Sequence, residues 1–379
     1  MVNRESKKLN LVLFLTLGGS LQQWSKEGIL DRELALYKKL KEYDISTSII
    51  SFGDKTEEEI LKKHPYIKIL YNKYNLHPRL YNYLIPLLFF KVFKKSDLIK
   101  TNQFYGVHLA KRAASLFSKK LIIRQGYSFM DHRLRENRDN PKAIKVYEKY
   151  IKNNINGGSA FIFTTKKIHI EYRSKYKLNN KIVRIIPNYI LLNNWVPSFK
   201  VSKEKKALIY IGRFSEQKNL ISLSKALKNT NLKLILVGDG EGNEKKILEK
   251  SLSDNKVDFK IFKRTNQKNL KKIINLADAF ILPSSYEGNP KILIEMMNYK
   301  VPIIATKVPG IDNLVDNTNC LLIPDATENN IRKSILEFYK LNNEKKKSLI
   351  QNAYKISLNY CLKKICKEEF DLYKLLDEK

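Results

Sequence analysis

Residue types suited to chemistry gather between Pro283 and Pro309, in the stretch PSSYEGNPKILIEMMNYKVPIIATKVP. It reads as strand end, loop, helix, short loop, strand. Asn289 stands where an N-cap belongs. Pro290 falls at the first helical position, where its fixed φ and missing N–H do no harm. Free backbone N–H groups and the positive end of the helix dipole would then lie beside Glu287 and Gly288, a setting suited to phosphate. Gly288 leaves room for a ligand against the backbone. Glu287 lies just outside the helix and Glu295 inside it, a rise of roughly 12 Å. A diphosphate-linked sugar fits that span, with its sugar near Glu287 and its ribose near Glu295. The plainer alternative is a capped, buried helix with two ordinary acids.

Cations precede this stretch. Ala207 to Ile211 reads as a strand and Leu220 to Lys228 as a helix, and between them runs Gly212-Arg213-Phe214-Ser215-Glu216-Gln217-Lys218-Asn219. Arg213, by its fork, and Lys218, as a mobile point charge, can reach one diphosphate from a single loop. Two cations there would neutralise charge building on a departing nucleoside diphosphate; otherwise they are solvated loop residues. A strand at Leu232 to Val237 runs into Gly238-Asp239-Gly240-Glu241-Gly242. A glycine loop of this kind also suits a dinucleotide. That reading expects an acid about 20 residues on, whereas the next strand ends near Lys263-Arg264. An NADP-type oxidoreductase or epimerase acting on nucleotide sugars therefore stands as an alternative function. In the first half, Gly18-Gly19-Ser20 follows a strand taken to end at Leu17, and Arg124-Gln125-Gly126-Tyr127 closes a strand at Leu121 to Arg124. Loops after parallel strands are where such sheets bind ligands. Arg124 suits an anionic acceptor or a donor phosphate, or else a surface salt bridge.

Glu287-Gly288-Asn289-Pro290 followed by Glu295 resembles the E-x-x-x-x-x-x-x-E signature of retaining glycosyltransferases with the GT-B fold, close to glycosyltransferase family 4, the glycosyl transferases group 1. Three companions come in the order that family requires: Gly212-Arg213-Phe214 with Lys218, Val237-Gly238-Asp239-Gly240, and Pro187-Asn188. The resemblance is strong from about residue 181 to 325 and weak over the N-terminal half. It implies an α/β chain of two doubly wound Rossmann-like domains facing a cleft. Residues 1–190 would form an acceptor-binding domain, joined by a crossing-back helix at 360–379, and 191–359 a nucleotide-sugar donor domain. It implies transfer of a hexosyl group from a UDP-, GDP- or other nucleoside-diphosphate sugar, with retention by front-face attack, and neither cofactor nor metal. Arg213, Lys218 and Glu287 become the catalytic candidates. Gly18, Gly19, Gly212, Gly238, Gly240, Arg264, Gly288, Asn289, Pro290, Lys291 and Glu295 become donor-binding candidates. Many relatives carry a histidine where Arg124 stands here, and the nearest histidine is His132. That departure leaves the acceptor-side chemistry open among Arg124, Tyr127 and His132. The implied acceptor is a surface glycan, a lipid-linked glycan or lipopolysaccharide.

At 379 residues, with 43% hydrophobic and 29% charged residues, the chain has a globular composition long enough for two domains. Its formal net charge is +33. That charge suits nucleic acid, an anionic membrane surface, or a lysine-rich composition with no specific partner. No nucleic-acid module stands out, so a basic nucleic-acid-binding protein is the weaker alternative. Cys320, Cys361 and Cys366 form no disulfide or zinc pattern, and the expected compartment is the cytoplasm. No apolar run reaches the ~18 residues of a spanning helix. Leu9 to Leu17 after Arg4, Lys7 and Lys8 has the look of a signal peptide, but reads better as a first buried strand, with a helix following within Ile29 to Tyr43. Pro78 to Lys95, PRLYNYLIPLLFFKVFKK, is either a helix packed on the sheet with its lysines outward, or a membrane-interface segment inserting Phe89, Phe90 and Phe93 at the inner face of the cytoplasmic membrane. Asn137 to Asn153 reads as a charged helix and Tyr360 to Leu376 as a final amphipathic one.

Overall fold

The computed structural model describes residues 8–128, 140–176, 178, 180–197, 206–240 and 242–378. His132 lies outside the described residues. The chain divides into two compact units, one of Met1–Pro187 with Leu362–Lys379, the other of Asn188–Cys361.

In the first unit, β1 (Leu9–Phe14), α1 (Leu21–Lys26), α2 (Leu30–Leu40), β2 (Ile45–Ile50), α3 (Glu57–Lys63) and β3 (Ile67–Leu70) come first. Then follow α4 (Pro78–Leu88), α5 (Phe90–Lys95), β4 (Leu98–Thr101), α6 (Val107–Leu116), β5 (Lys120–Gln125), α7 (Pro141–Ile155), β6 (Ala160–Phe163), α8 (Lys166–Tyr176) and β7 (Ile182–Ile185). The sheet order is β3-β2-β1-β4-β5-β6-β7, all parallel. Strands buried on both faces need continuous apolar runs, and LNLVLF and AFIF supply them. Leu9–Phe14 is thus the first sheet strand. It stops three residues short of the expected Leu17, because Thr16 to Gly19 turn back on themselves: Gly19 N–H donates to Thr16 O at 2.7 Å. Ser20 then caps α1, a helix the periodicity did not show, by accepting from Gln23 N–H at 3.1 Å.

The Pro78–Lys95 stretch is helical and packs on the sheet. Tyr81, Ile85 and Phe93 are buried, and Phe93 stacks between Phe14 and Phe117. Phe93 is therefore core and has no surface to insert into a membrane. Phe89 is half-buried against Tyr81, and of the three only Phe90 is substantially exposed, at 49%.

The second unit holds β8 (Ala207–Ile211), a 3₁₀ turn (Glu216–Lys218), α9 (Leu220–Ala226), β9 (Lys233–Val237), α10 (Glu244–Asp254), β10 (Asp258–Phe262), α11 (Gln267–Ile274) and β11 (Ala279–Leu282). After these come α12 (Lys291–Asn298), β12 (Ile303–Thr306), β13 (Leu321–Ile323), α13 (Glu328–Lys340) and α14 (Asn343–Ser357). The sheet order is β10-β9-β8-β11-β12-β13, again parallel. Residues 190–195 pack against the rest of the second unit. Ile190 N–H donates to Tyr360 O at 2.8 Å, Asn193 N–H to Asn298 Oδ1 at 3.1 Å, and Trp195 meets the Tyr299 ring edge-on.

The last helix, α15 (Leu362–Asp377), belongs to the first unit. Ile365, Leu372, Tyr373 and Leu376 are buried. Glu369 accepts from Lys100 Nζ and from Tyr373 Oη, and Lys100 Nζ also donates to Tyr373 Oη at 3.0 Å. Lys100, the one charge in the otherwise closed β4, is thereby neutralised by this helix.

Candidate active site

In the second sheet the strand order reverses between β8 and β11, so the loops after these two strands part to opposite faces. Such a reversal leaves a crevice at the strand C-termini, the usual ligand position of doubly wound sheets. Both loops carry candidate residues. Gly212 N–H donates to Val237 O at 3.0 Å and Phe214 N–H to Asp239 O at 2.8 Å, which ties the β8 loop to the glycine loop after β9. Gly238 is required there by packing, since a Cβ would lie 1.9 Å from Gly212 O. Arg213 is exposed. Beneath it Tyr210 is fully buried and donates to Arg213 O at 2.7 Å. Burial, and then the charge of Glu287, push the Tyr210 hydroxyl well above its ordinary range, so it stays a neutral donor.

The two loops are joined through side chains. Lys218 Nζ bonds Glu287 Oε1 at 2.6 Å, and the side chains are 14% and 4% exposed. Ser284 Oγ donates to the same oxygen at 2.6 Å, and Gln217 Nε2 lies 3.4 Å from Oε2. Gln217 also donates to Tyr286 O at 2.9 Å and accepts, through its own carbonyl, from Ser285 N–H at 2.9 Å. Asn219 adopts a left-handed φ of 54° and donates through Nδ2 to Pro283 O at 3.2 Å and Ala326 O at 2.7 Å. Gly310 (φ +98°) closes the site from the loop after β12: a Cβ there would lie 1.9 Å from Glu287 O. Lys218 and Glu287 were expected to face ligand separately; they pair with each other. Gln217, Ser284, Asn219, Tyr210 and Gly310 are the supporting residues the sequence reading missed. Gln217 and Asn219 flank Lys218, and Ser284 stands three residues before Glu287, so proximity was the available signal.

The cap differs from expectation by one residue. Pro290 (φ −73°, ψ 107°) is the N-cap and the helix begins at Lys291, with no side-chain cap. Asn289 is occupied elsewhere: its Oδ1 accepts from Asn188 N–H at 3.2 Å and its carbonyl from Asn188 Nδ2 at 2.8 Å. Lys291 Nζ lies over the Tyr189 ring at 5.5 Å. Asn188-Tyr189 and Asn289–Lys291, distant in sequence, are thus laced together within the second unit. Glu295 sits inside the helix at 7% exposure. Arg264 is exposed in the loop after β10, and Gly240 lies in the loop after β9 with its N–H bonded to Asp239 Oδ1 at 3.0 Å.

The first sheet reverses between β1 and β4, and its candidates also cluster at strand ends. Gly18 (φ +82°) is exposed in the loop after β1, and Gly19 O accepts from Phe52 N–H at 3.1 Å. Arg124 is on β5, its N–H on Thr101 Oγ1 at 3.1 Å and its Nη1 on Asn102 O at 3.2 Å. Gly126 N–H donates to Gln103 Oε1 at 2.8 Å, and Tyr127 packs against the core of this unit. Glu57, which the sequence did not mark, is buried under the start of α1 and accepts from Gln22 N–H at 3.2 Å. Burial holds its carboxyl above the usual range.

Residues 193–356 match the family model described as glycosyl transferases group 1. Among curated proteins the chain is 28% identical to an uncharacterised glycosyltransferase of Methanocaldococcus jannaschii, over 56% of this chain and 62% of that protein. It is 25% identical to the poly(ribitol-phosphate) alpha-N-acetylglucosaminyltransferase of Staphylococcus aureus, over 58% of this chain and 44% of that protein. These alignments thus span less than two thirds of the relatives' lengths. Among solved structures, HepE of Anabaena in complex with UDP and glucose superposes with a TM-score of 0.71 at 16% identity, covering 96% of this chain and 99% of the other. Two parallel sheets flanked by helices give the chain the GT-B architecture, and within it residues 193–356 resemble the glycosyl transferases group 1.

Proposed function

We propose that the chain transfers a glycosyl group from a nucleoside-diphosphate sugar to a surface-glycan or lipid-linked acceptor, with retention of configuration. The observation that carries this is the Lys218–Glu287 pair, which locks together the two loops at the sheet reversal, beside exposed Arg213 and a helix start without a side-chain cap. Donor binding would bring a diphosphate to Arg213, Lys218 and the first N–H groups of α12, which stabilise negative charge as the bond to the sugar breaks. Glu287, held by Ser284 and Gln217, would receive sugar hydroxyls, and Glu295 the ribose. Glu287 is a poor nucleophile in this setting, since its Oε1 already takes bonds from Lys218 and Ser284. That favours front-face attack, with the leaving phosphate taking the acceptor proton, over a covalent enzyme carboxylate. Fixed cations at the diphosphate remove the need for a metal. HepE was solved with UDP and glucose, and the staphylococcal relative is named for addition of an alpha-linked sugar to an anionic polymer. Both fit this reading.

The test is transfer from a panel of nucleoside-diphosphate sugars, with the product anomer read by NMR and the assay repeated in excess EDTA. Retained configuration and EDTA-resistant turnover are expected. An inverted product, or activity abolished by chelation and restored by Mg²⁺, would sink the mechanism.

A further inference from the structure

We infer that the outer face of α4 and α5 is a docking surface for anionic lipid. The two helices present Leu80, Tyr83, Leu87 and Phe90 to solvent, at 47%, 71%, 71% and 49% exposure. The positions advance by three, four and three residues, so they form one stripe on the face opposite buried Tyr81, Ile85 and Phe93. The neighbouring helix α6 extends the patch. Phe117 lies 5.4 Å from Phe90, centroid to centroid, and Leu116 is 65% exposed.

Cations frame the stripe. Lys91, Lys94 and Lys95 are exposed at its end, and Lys119 reaches across to Lys94 O at 3.1 Å. Arg112 lies 5.3 Å over the Tyr83 ring and holds the Asn82 and Tyr83 carbonyls at 2.5 and 2.7 Å. Between Glu59 and Asp131 the one acidic residue is Asp97. Asp97 is already engaged, accepting from Asn10 N–H at 2.8 Å. The segment that carries the stripe therefore brings almost no negative charge of its own to repel an anionic surface.

An amphipathic helix with aliphatic and aromatic residues on one face and lysines at its edge lies in the headgroup plane of a bilayer. Tyrosine suits that depth, and lysine stems reach past the apolar contact to the phosphates. A second copy of this chain fits less well, since a two-fold contact through the stripe would bring identical lysine clusters together. Nucleic acid fits less well too, because Leu80 and Leu87 neither stack on bases nor bind phosphate. No described helix is long and apolar enough to cross a membrane, so attachment would be peripheral.

Sedimentation of the full chain with phosphatidylglycerol-containing or pure phosphatidylcholine vesicles tests the assignment, at low and high salt. Binding to anionic vesicles should weaken with salt and persist in part. Leu80→Ser/Leu87→Ser should lower the high-salt partition about tenfold. Lys91→Gln/Lys94→Gln/Lys95→Gln should lower low-salt binding about tenfold or more and erase the preference for anionic lipid. Nucleoside-diphosphate binding, read by thermal shift, should be unchanged in both variants, which separates this surface from the transfer site. The assignment is overturned by absent binding at low salt, by equal binding to both lipids, or by an undiminished serine variant. It is also overturned if that variant turns a wild-type dimer into a monomer while lipid partition stays the same.

Discussion

Each unit contains a Lys–Glu pair shielded from water, and the two pairs do opposite things. Lys100 and Glu369 are 1% and 3% exposed, and the lysine lies 5.8 Å from the Tyr37 ring and 5.7 Å from the Tyr373 ring. The lysine is mid-strand and the glutamate is on the last helix, with Tyr373 closing the remaining side. Burial pushes the Lys100 ammonium below its ordinary range and the Glu369 charge pushes back. Lys218 and Glu287 sit on loops past the ends of β8 and β11, and the lysine keeps 14% exposure. Glu287, which Lys218 bonds, is a loop residue, whereas Lys100 is enclosed by its own unit. Enclosure makes a structural pin; a pair at a strand-end reversal makes a candidate site.

The sharpest way to break this contrast is to remove one partner from each pair. Glu369→Ala leaves Lys100 buried without its counter-charge and should cost about 3–5 kcal/mol of stability, read by denaturant unfolding. Lys100→Met/Glu369→Leu, which removes both charges, should recover most of that loss. If Glu369→Ala is no worse than a surface substitution, the pin is not structural.

On the other side, Lys218→Ala or Arg213→Ala should lower kcat by about 10²-fold or more. Arg213→Ala should leave stability within about 0.5 kcal/mol, since its side chain is on an exposed loop residue. Near-normal turnover in both variants would dissolve the distinction between pin and site.

A smaller effect concerns Glu57. Its folded-state pKa is raised, mainly by burial, above the ordinary value of 4.5. The folded state then holds the proton more tightly than the unfolded chain. That contribution to stability is full below the ordinary value and is lost as pH rises through the folded one. Glu57→Gln keeps an acceptor for Gln22 N–H but cannot titrate, so its Tm should fall less than wild type's over that range. Parallel Tm curves would show that Glu57 does not titrate on folding.

The sequence made the second unit easy to read for a local reason. Glycine turns, strand runs and the Gly212–Lys218 and Glu287–Glu295 segments are each contiguous, so their residue types and spacing survive without the fold. The first unit was less legible. Its α1 is six residues long, too short to show a helical period, and residues Pro78 to Lys95 are apolar almost throughout, which hides which face is buried. Only packing shows that Phe93 points inward against Phe14 while Leu80 and Leu87 point out.

By itself the chain determined its α/β class, the glycine loops at strand ends, the cations of the β8 loop and the two glutamates of the Pro283–Pro309 stretch. These follow from periodicity and local backbone chemistry, which act within a few residues. Tertiary structure decided the rest. It set Pro290 rather than Asn289 as the cap, because Asn188 engages Asn289 from a hundred residues away. It paired Lys218 with Glu287, and it put Gly310 against the Glu287 carbonyl. It buried Lys100 beside a glutamate from the last helix. Each of these depends on which strands lie side by side, and strand order is set by packing the whole sheet, not by any one stretch of it.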